Sequence, residues 1–237
     1  YDVTFDYEVA DQEPISVSGG PATITIQAVN DEPGLTIGSD QNENEDTGFH
    51  SVPGFASATP GGGTDEAGQT FSYLVSNDNN TLFDVQPAID GSGTLTYTLK
   101  ADAFGTATVT VRSRDNGGTS DGGDNTSQPQ QFDINIANVN DDPSITSAGT
   151  VNVVEGTTAV MTVTSTDIDG GTPSYAITGG ADQGLFWINP STGELTFNDA
   201  PDYELPTDFG ADNVYEVEVT ADDGLTGSDT QTINVTV

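Results

Sequence analysis

The chain has 237 residues, of which 33% are hydrophobic, and its 38 Asp and Glu against 3 Lys and Arg give a net charge of −35. So acidic a surface repels phosphate backbones and anionic lipid headgroups and attracts cations. We therefore expect no nucleic-acid partner and no membrane insertion of this segment. The absence of cysteine excludes disulfides and thiolate metal sites, and a single histidine, His50, leaves little for catalysis, so we expect no enzyme.

Residues 1–30 supply only two segments of alternating apolar and polar residues. Two strands alone are at best marginally stable. We expect them to be the C-terminal strands of a truncated preceding domain, completed either by upstream sequence or by strands of a neighbouring molecule. The chain opens with Tyr1 and shows no leader and no membrane-spanning run, which indicates a segment of a longer protein.

The motif Asn-Asp-x-Pro occurs at 30–33 and again at 140–143, each time after two alternating segments. Glu45 follows Pro33 at the same spacing as Glu155 follows Pro143, and a third copy of the alternating segments ends at Val237. This repeat predicts two domains, residues 34–140 and 143–237, joined by extended connectors.

Within each predicted domain the apolar residues recur with period two, as in 95–99 and 215–219. Such alternation places one face of a strand on a core and the other in water. Gly and Asn clusters separate these segments, and no stretch has a helical stripe. The sequence therefore predicts an all-β fold of tandem immunoglobulin-like Greek-key β-sandwiches arranged as an extended rod.

Carboxylates of the second predicted domain gather at strand ends and loops. Calcium binds six to eight oxygen ligands from carboxylates, amides and backbone carbonyls, a mixture that the Asn-Asp connectors also provide. The sequence thus predicts Ca²⁺ sites, although halophilic or marine adaptation would also give an acidic surface. The candidate ligands on residue grounds are Asn30, Asp31, Asn140, Asp141, Glu155, Asp167, Asp169, Asp202, Glu204 and Asp223.

The run Leu-Phe-Trp-Ile-Asn-Pro-Ser-Thr-Gly-Glu-Leu at 185–195, followed by Asp-Tyr-Glu at 202–204 and by the strand at 215–223, resembles a cadherin repeat in order and spacing. Such repeats recur in tandem in large bacterial surface adhesins. The resemblance covers 143–237 and implies calcium ions between successive repeats. It implies that Asp167, Asp169 and Asp223 face the connector 140–141, and that Glu155, Asp202 and Glu204 face a following connector.

Residues 34–140 resemble the family less closely. The resemblance assigns Glu45 as the early glutamate, Asp115 as the aspartate after a strand, and Asp65 with Glu66 as the Asp-x-Asp pair. The Asp-x-Glu element is missing, and Asp102 is only a weak substitute for it. We therefore expect the connectors of this domain to bind fewer calcium ions than those of cadherins.

These features predict a calcium-stiffened spacer in a long extracellular adhesin or surface fibre, with neighbouring repeats and other copies of the chain as partners. Calcium sites of extracellular modules bind at roughly 0.1–1 mM, which suits an extracellular location. Two alternatives remain open. One is a sugar- or peptide-binding module that uses a long loop at 51–63, and the other is a filament subunit completed by a neighbour's strands. We further expect His50 in an exposed loop and Trp187 on the outer side of a strand.

Overall fold

The computed structural model describes residues 28–237, so the strands predicted within 1–27 lie outside the described residues. Nine strands form the first sandwich of the structure. Their inward residues alternate with polar outward residues, as the period-two pattern requires. The strands are β1 Gly34–Ile37, β2 Gln41–Asn44, β3 Phe49–Val52, β4 Ala56–Thr59, β5 Phe71–Asn77, β6 Phe83–Ile89, β7 Leu95–Leu99, β8 Gly105–Asp115 and β9 Gln130–Ala137.

The second sandwich is also built from nine strands, several of them shorter. Only single-turn 3-10 segments interrupt the strands of the two sandwiches in residues 28–237, and none could cross a membrane as a helix. The strands are β10 Ser144–Ile145, β11 Thr150–Asn152, β12 Ala159–Thr162, β13 Ser165–Thr166, β14 Ser174–Gly179, β15 Phe186–Ile188, β16 Glu194–Phe197, β17 Val214–Asp222 and β18 Ser228–Thr236.

Both sandwiches have the same sheet topology. In the first, a four-stranded sheet of order β2-β9-β8-β5 packs against a three-stranded sheet of order β3-β7-β6, and β1 pairs with β4. In the second, β11-β18-β17-β14 packs against β12-β16-β15, and β10 pairs with β13. The short strands β2 and β11 run parallel to the last strand of their sandwich, and the other pairs are antiparallel. The predicted all-β sandwich fold is thus confirmed.

Each sandwich has its own apolar core, in which both sheets meet. In the first, Tyr97 and Leu95 of β7 are fully buried against Val109 and Val111 of β8. In the second, the corresponding residues of β16 and β17 are equally buried, among them Leu195. Full burial of an aliphatic side chain is worth about 1.5–3 kcal/mol, so these side chains hold the two sheets of each sandwich together.

Two glycines occupy equivalent turns before the strands β7 and β16 and are required there for two reasons. Gly93 and Gly193 have φ values of +82° and +71°, a conformation that L side chains rarely adopt. A Cβ atom at either position would also collide with a backbone carbonyl, that of Ala56 or that of Val163. Each glycine carbonyl accepts a hydrogen bond from the same residue's N–H, at 3.0 Å and 2.8 Å respectively. The close approach ties the turn to the opposite strand.

Two expectations about the first sandwich are wrong. His50 lies within β3, where its half-buried ring stacks on Tyr97 at 5.0 Å and its Nδ1 lies 3.5 Å from Glu43. The segment 51–63 is not one long loop, because it contains the end of β3 and all of β4. The turn at Pro53–Gly54 bends the chain between these strands, so the Gly and Pro residues mark the point where the chain passes from one sheet to another. Trp187 does face outward, at 50% exposure between two buried neighbours.

Truncating the core should be far more costly than truncating an exposed loop residue of the same type. We expect Leu195→Ala to lower the free energy of unfolding by about 2–5 kcal/mol, because Leu195 is fully buried. Leu205→Ala, at a site that is 71% exposed, should change it by less than about 0.5 kcal/mol. Urea unfolding of the two variants measures both values, and equal effects would contradict the described core.

Candidate metal centre

The connector between the sandwiches, residues 138–143, meets acidic side chains from both of them. Glu45 and Asp46 follow β2, and Asp102 lies in the turn between β7 and β8. On the other side, Asp169 follows β13 and Asp223 follows β17. The sandwich topology therefore brings loops that are distant in sequence to one joint.

Glu45 lies at the centre of this joint with only 2% of its surface exposed. Its Oε1 accepts a hydrogen bond from the Val139 backbone N–H at 2.8 Å, which holds the connector against the first sandwich. Its Oε2 is buried and has no hydrogen-bond partner among residues 28–237. A buried carboxylate oxygen without a partner is costly, so this atom is placed to receive a ligand.

Asp141 of the connector joins Glu45 to the second sandwich. Its backbone N–H donates to Asp169 Oδ2 at 2.6 Å, and its own Oδ2 is buried without a partner among the described residues. One carboxylate oxygen each of Glu45, Asp141 and Asp169 lies within 4.8 Å of the others. The first sandwich, the connector and the second sandwich thus each contribute one member of this group.

A second group shares Asp141 and adds two residues of the first sandwich. One carboxylate oxygen each of Asp46, Asp102 and Asp141 lies within 4.8 Å of the others. Asp46 and Asp102 both have left-handed backbones, with φ of +64° and +56°, and Asp102 N–H donates to Asp46 Oδ1 at 3.1 Å. Sequence reasoning missed Asp46 and gave Asp102 little weight. The available signal was the turn sequence Asp-Thr-Gly at 46–48, since Asp tolerates this conformation.

Burial and crowding raise the pKa values of two of these carboxylates. The pKa of Glu45 is raised, first by burial and then by the nearby Asp46, Asp141 and Asp169. Burial also raises the pKa of Asp141, with further contributions from acids of both sandwiches. Two like charges 4 Å apart repel by roughly 4 kcal/mol at an effective dielectric of 20. A bound divalent cation would remove that repulsion.

Asn140 and Asp223 form the other side of the joint. The Asn140 amide donates to Asp223 Oδ2 at 2.6 Å, and Asp223 Oδ1 accepts from the Leu225 and Gly227 backbone N–H groups. The pKa of Asp223 is lowered, mainly by the Asn140 bond. Asp167, whose Oδ1 accepts from Asp169 N–H at 3.0 Å, also lines this side. A cavity of about 440 Å³ opens here, lined by Asn138, Asn140, Asp167, Asp169 and Asp223 among others.

The upstream connector, residues 30–33, repeats these bonds with different residues. Asn30 donates to Asp115 Oδ1 at 3.1 Å, as Asn140 does to Asp223. Asp31 N–H donates to Glu66 Oε1 at 2.6 Å, as Asp141 does to Asp169.

The carboxylates at this upstream connector differ in how many of their oxygens are already hydrogen-bonded. The second oxygen of Glu66 also accepts a hydrogen bond, from Gly62 N–H, whereas Asp115 Oδ2 is buried without a partner among residues 28–237. Within that range no three carboxylates converge here, and Asp65 joins no group.

At the far end of the second sandwich the structure brings together Glu155, Asp202 and Glu204. One carboxylate oxygen of each lies within 4.8 Å of the others, and all three side chains are exposed. Glu155 Oε2 accepts from Tyr203 N–H at 3.0 Å, which fixes the loop that carries the other two acids. This group corresponds to Glu45, Asp46 and Asp102, the acids of the first sandwich that lie at the connector 138–143.

The residues at the central joint suit hard cations that prefer oxygen ligands. They offer only oxygen ligands from carboxylates and amides, which hard cations prefer, and no sulfur or imidazole nitrogen is present. Two of the carboxylates carry a buried oxygen without a hydrogen bond. The donor set and its unsatisfied atoms therefore fit a divalent oxygen-seeking ion.

Comparisons with known proteins relate the chain to cadherins. Residues 150–237 match the family model for the cadherin domain. No curated protein sequence matches the chain. Among solved structures, human CDH23 EC21-23 is similar with a TM-score of 0.52 and 16% identity, covering 84% of this chain and 72% of that one.

A protocadherin gammaB7 EC3-6 cis-dimer structure is similar with a TM-score of 0.50 and 19% identity, and 88% of this chain covers 52% of it. The chain thus spans about half the length of that EC3-6 segment. At this level of identity the likeness concerns the fold. The chain has the cadherin-like β-sandwich fold, and its residues 150–237 match the model of the cadherin domain.

Proposed function

We propose that residues 34–140 and 143–237 are two calcium-binding repeats of a long extracellular adhesin or surface fibre, in which they act as a structural spacer. The environment of Glu45 is the observation that supports this proposal most directly. A carboxylate that is almost completely buried, with one unpartnered oxygen, lies beside Asp141 and Asp169 from two other parts of the chain. An ion bound there would tie both repeats to their connector.

Calcium would supply positive charge at a joint that otherwise contains only negative groups. Glu45, Asp141 and Asp169 would hold one ion, and Asp46 with Asp102 would complete a second position that shares Asp141. With these ions the two repeats would form a stiff rod. Without them, repulsion between the carboxylates would let the repeats swing about residues 138–143.

The two outer sites are expected to differ from the central one. Glu155, Asp202 and Glu204 would bind calcium together with a following repeat, because their oxygens converge but stay exposed. The upstream connector, with Asn30, Asp31, Asp65, Glu66 and Asp115, would bind calcium less well, because both Glu66 oxygens already accept backbone hydrogen bonds.

An extracellular location agrees with this proposal. Calcium sites of extracellular modules have affinities of roughly 0.1–1 mM, so they would be filled outside cells and empty in cytosol. The likeness to bacterial surface adhesins, as opposed to animal cadherins, rests on the tandem repeats and the acidic composition. Adhesion in this proposal is the task of the whole fibre, to which these repeats contribute length and stiffness.

The two alternative functions have less support. The sugar- or peptide-binding module depended on a long loop at 51–63, and that segment contains strands β3 and β4. The filament completed by a neighbour's strands depended on residues 1–30, most of which lie outside the described residues. Neither therefore gains an observation that favours it over the spacer.

Removing calcium should loosen the joint between the repeats. The chain has no cysteine, so Ser76→Cys and Ala176→Cys, on exposed positions of β5 and β14, would give one spin label in each repeat. We expect a narrow distribution of label distances in calcium and a broad one in chelator, measured by double electron–electron resonance. The same distribution under both conditions would contradict the stiffening role.

Glu45→Gln should raise the stability of the chain in chelator and reduce the additional stability that calcium provides. The glutamine keeps an acceptor for Val139 N–H and donates to the neighbouring carboxylates, so stability in chelator should rise by about 1 kcal/mol. The stabilisation by calcium, about 2.7 kcal/mol for the wild type at 100 times Kd, should shrink. Calorimetry in calcium and in chelator measures both effects.

Asp84→Asn is the matched control for Glu45→Gln. Asp84 is an exposed acid of β6 that lies outside every converging group of the described residues. Asp84→Asn removes the same charge as Glu45→Gln but lies away from the joint, so it should leave the stabilisation by calcium unchanged. A response to Asp84→Asn equal to that of Glu45→Gln would mean that overall charge, and not the joint, determines calcium binding.

Asp102→Asn tests the second group of carboxylates. Asparagine tolerates the left-handed backbone at this position, so the turn should keep its shape. Loss of one ligand carboxylate should weaken calcium binding roughly tenfold, or about 1.4 kcal/mol. Titration calorimetry measures the affinity and the number of ions. Unchanged values would exclude Asp102 as a ligand.

A further inference from the structure

The two sandwiches differ sharply in their basic residues. All three Lys and Arg of the chain lie in residues 34–140, and residues 143–237 contain no Lys, Arg or His. Arg112 and Arg114 are neighbours on the outer side of β8, where they alternate with the buried Val111 and Ser113. In so acidic a chain this pair forms an isolated positive patch.

The arginines have no acidic partner among residues 28–237, where the only close acid–base contact is that of His50 with Glu43. Arg112 donates to the Ser127 carbonyl at 2.9 Å, which fixes its side chain, and Arg114 is exposed. On the neighbouring edge strand β5, Leu74 lies opposite Arg112 and is 47% exposed, and Ser72 lies opposite Arg114. We name Ser72, Leu74, Arg112 and Arg114 the basic face.

The equivalent strand of the second sandwich carries the opposite charge. Asp115 and Asp223 are equivalent, since each lies at the C-terminal end of its strand, Asp115 as the last residue of β8 and Asp223 directly after β17, and each accepts a hydrogen bond from a connector asparagine. Counted back from them, Arg114 corresponds to Asp222, and the two threonines Thr108 and Thr110 correspond to glutamates. We name Glu216, Glu218 and Asp222 the acidic face.

The acidic face is accessible and lies on a sheet. Glu216 and Asp222 are exposed and Glu218 is half-buried, while the residues between them are buried in the core. Glu218 accepts only a long hydrogen bond of 3.3 Å from Thr178. The neighbouring edge strand β14 presents the small residue Ala176 opposite Thr220, so a second sheet could approach closely.

We propose that the basic face of one copy binds the acidic face of a second copy of this chain. Arginine is suited to this contact, because its guanidinium pairs with carboxylates through two parallel hydrogen bonds. Leu74 would be covered at the same time. The contact joins the first sandwich of one copy to the second sandwich of the other, so each copy offers both faces and association can close into a pair or continue laterally.

The large net charge does not prevent this contact at physiological ionic strength. The Debye length is about 8 Å at 0.15 M salt, so most charges of the two copies are screened from one another and the groups in contact dominate. At about 0.01 M salt the Debye length is about 30 Å, and the net repulsion between two strongly acidic chains should dissociate them. Association should therefore be strongest at intermediate salt.

Sedimentation velocity of the whole chain in calcium tests the proposal. We expect concentration-dependent association of the wild type up to about 1 mM, the range of weak contacts. Arg114→Glu should weaken it at least about tenfold, because it places a further carboxylate against the three carboxylates of the acidic face. Lys100→Glu, which makes the same change of charge away from the basic face, should leave it unchanged.

A complementary variant separates a direct contact from a change of folding. Glu216→Arg with Glu218→Arg should also abolish self-association, because both faces of that variant are basic. Mixed with Arg114→Glu, it should restore association between the two variants, while circular dichroism shows both to be folded. A monomeric wild type, equal loss with Lys100→Glu, or failure of the mixture to associate would each overturn the proposal.

Discussion

The joint between the two sandwiches depends on one electrostatic constraint, the convergence of carboxylates that belong to separate parts of the chain. Glu45, Asp141 and Asp169 come from the first sandwich, the connector and the second sandwich, and burial leaves two of them with an unpartnered oxygen. Each sandwich is stabilised by its own core, so its fold does not require this convergence. The constraint therefore acts on the relative position of the sandwiches, which is the property that a spacer must control.

Both connectors use the same hydrogen-bonding scheme. Small differences between their side chains determine which carboxylate oxygens remain free of hydrogen bonds. At the central joint Asp169 accepts one backbone N–H from Asp141, whereas the longer Glu66 reaches both Asp31 and Gly62 with its two oxygens. The backbone arrangement is alike, but one carboxylate keeps an oxygen without a backbone hydrogen bond and the other does not. Individual side chains on a repeated scaffold thus decide which oxygens at each joint remain available.

The sequence predicted the sandwiches and the central joint because both follow from local patterns. Alternation at 95–99 and 215–219 specified the buried faces, and the repeated Asn-Asp-x-Pro located the connectors. The convergence of Asp46 with Asp102 could not be found in this way, since the two residues are 56 positions apart and meet only through tertiary structure. The sequence also could not predict that both carboxylate oxygens of Glu66 accept hydrogen bonds, because one of these bonds depends on the position of the Gly62 backbone. His50 was misjudged because its stacking on Tyr97 requires the register of β3 with β7.

The period-two pattern also explains how two sandwiches with one architecture can have different surfaces. The central inward positions of β8 and β17 are valines, Val109 and Val111 in one strand and Val217 and Val219 in the other, because the core tolerates little change of volume. Outward positions contact only solvent and neighbouring strands, so Arg114 and Asp222 can occupy equivalent places without cost to the fold. Repetition of the core and divergence of the outer faces are therefore compatible in one strand. A chain of such repeats can vary its lateral contacts from repeat to repeat while each connector keeps its own arrangement of acids.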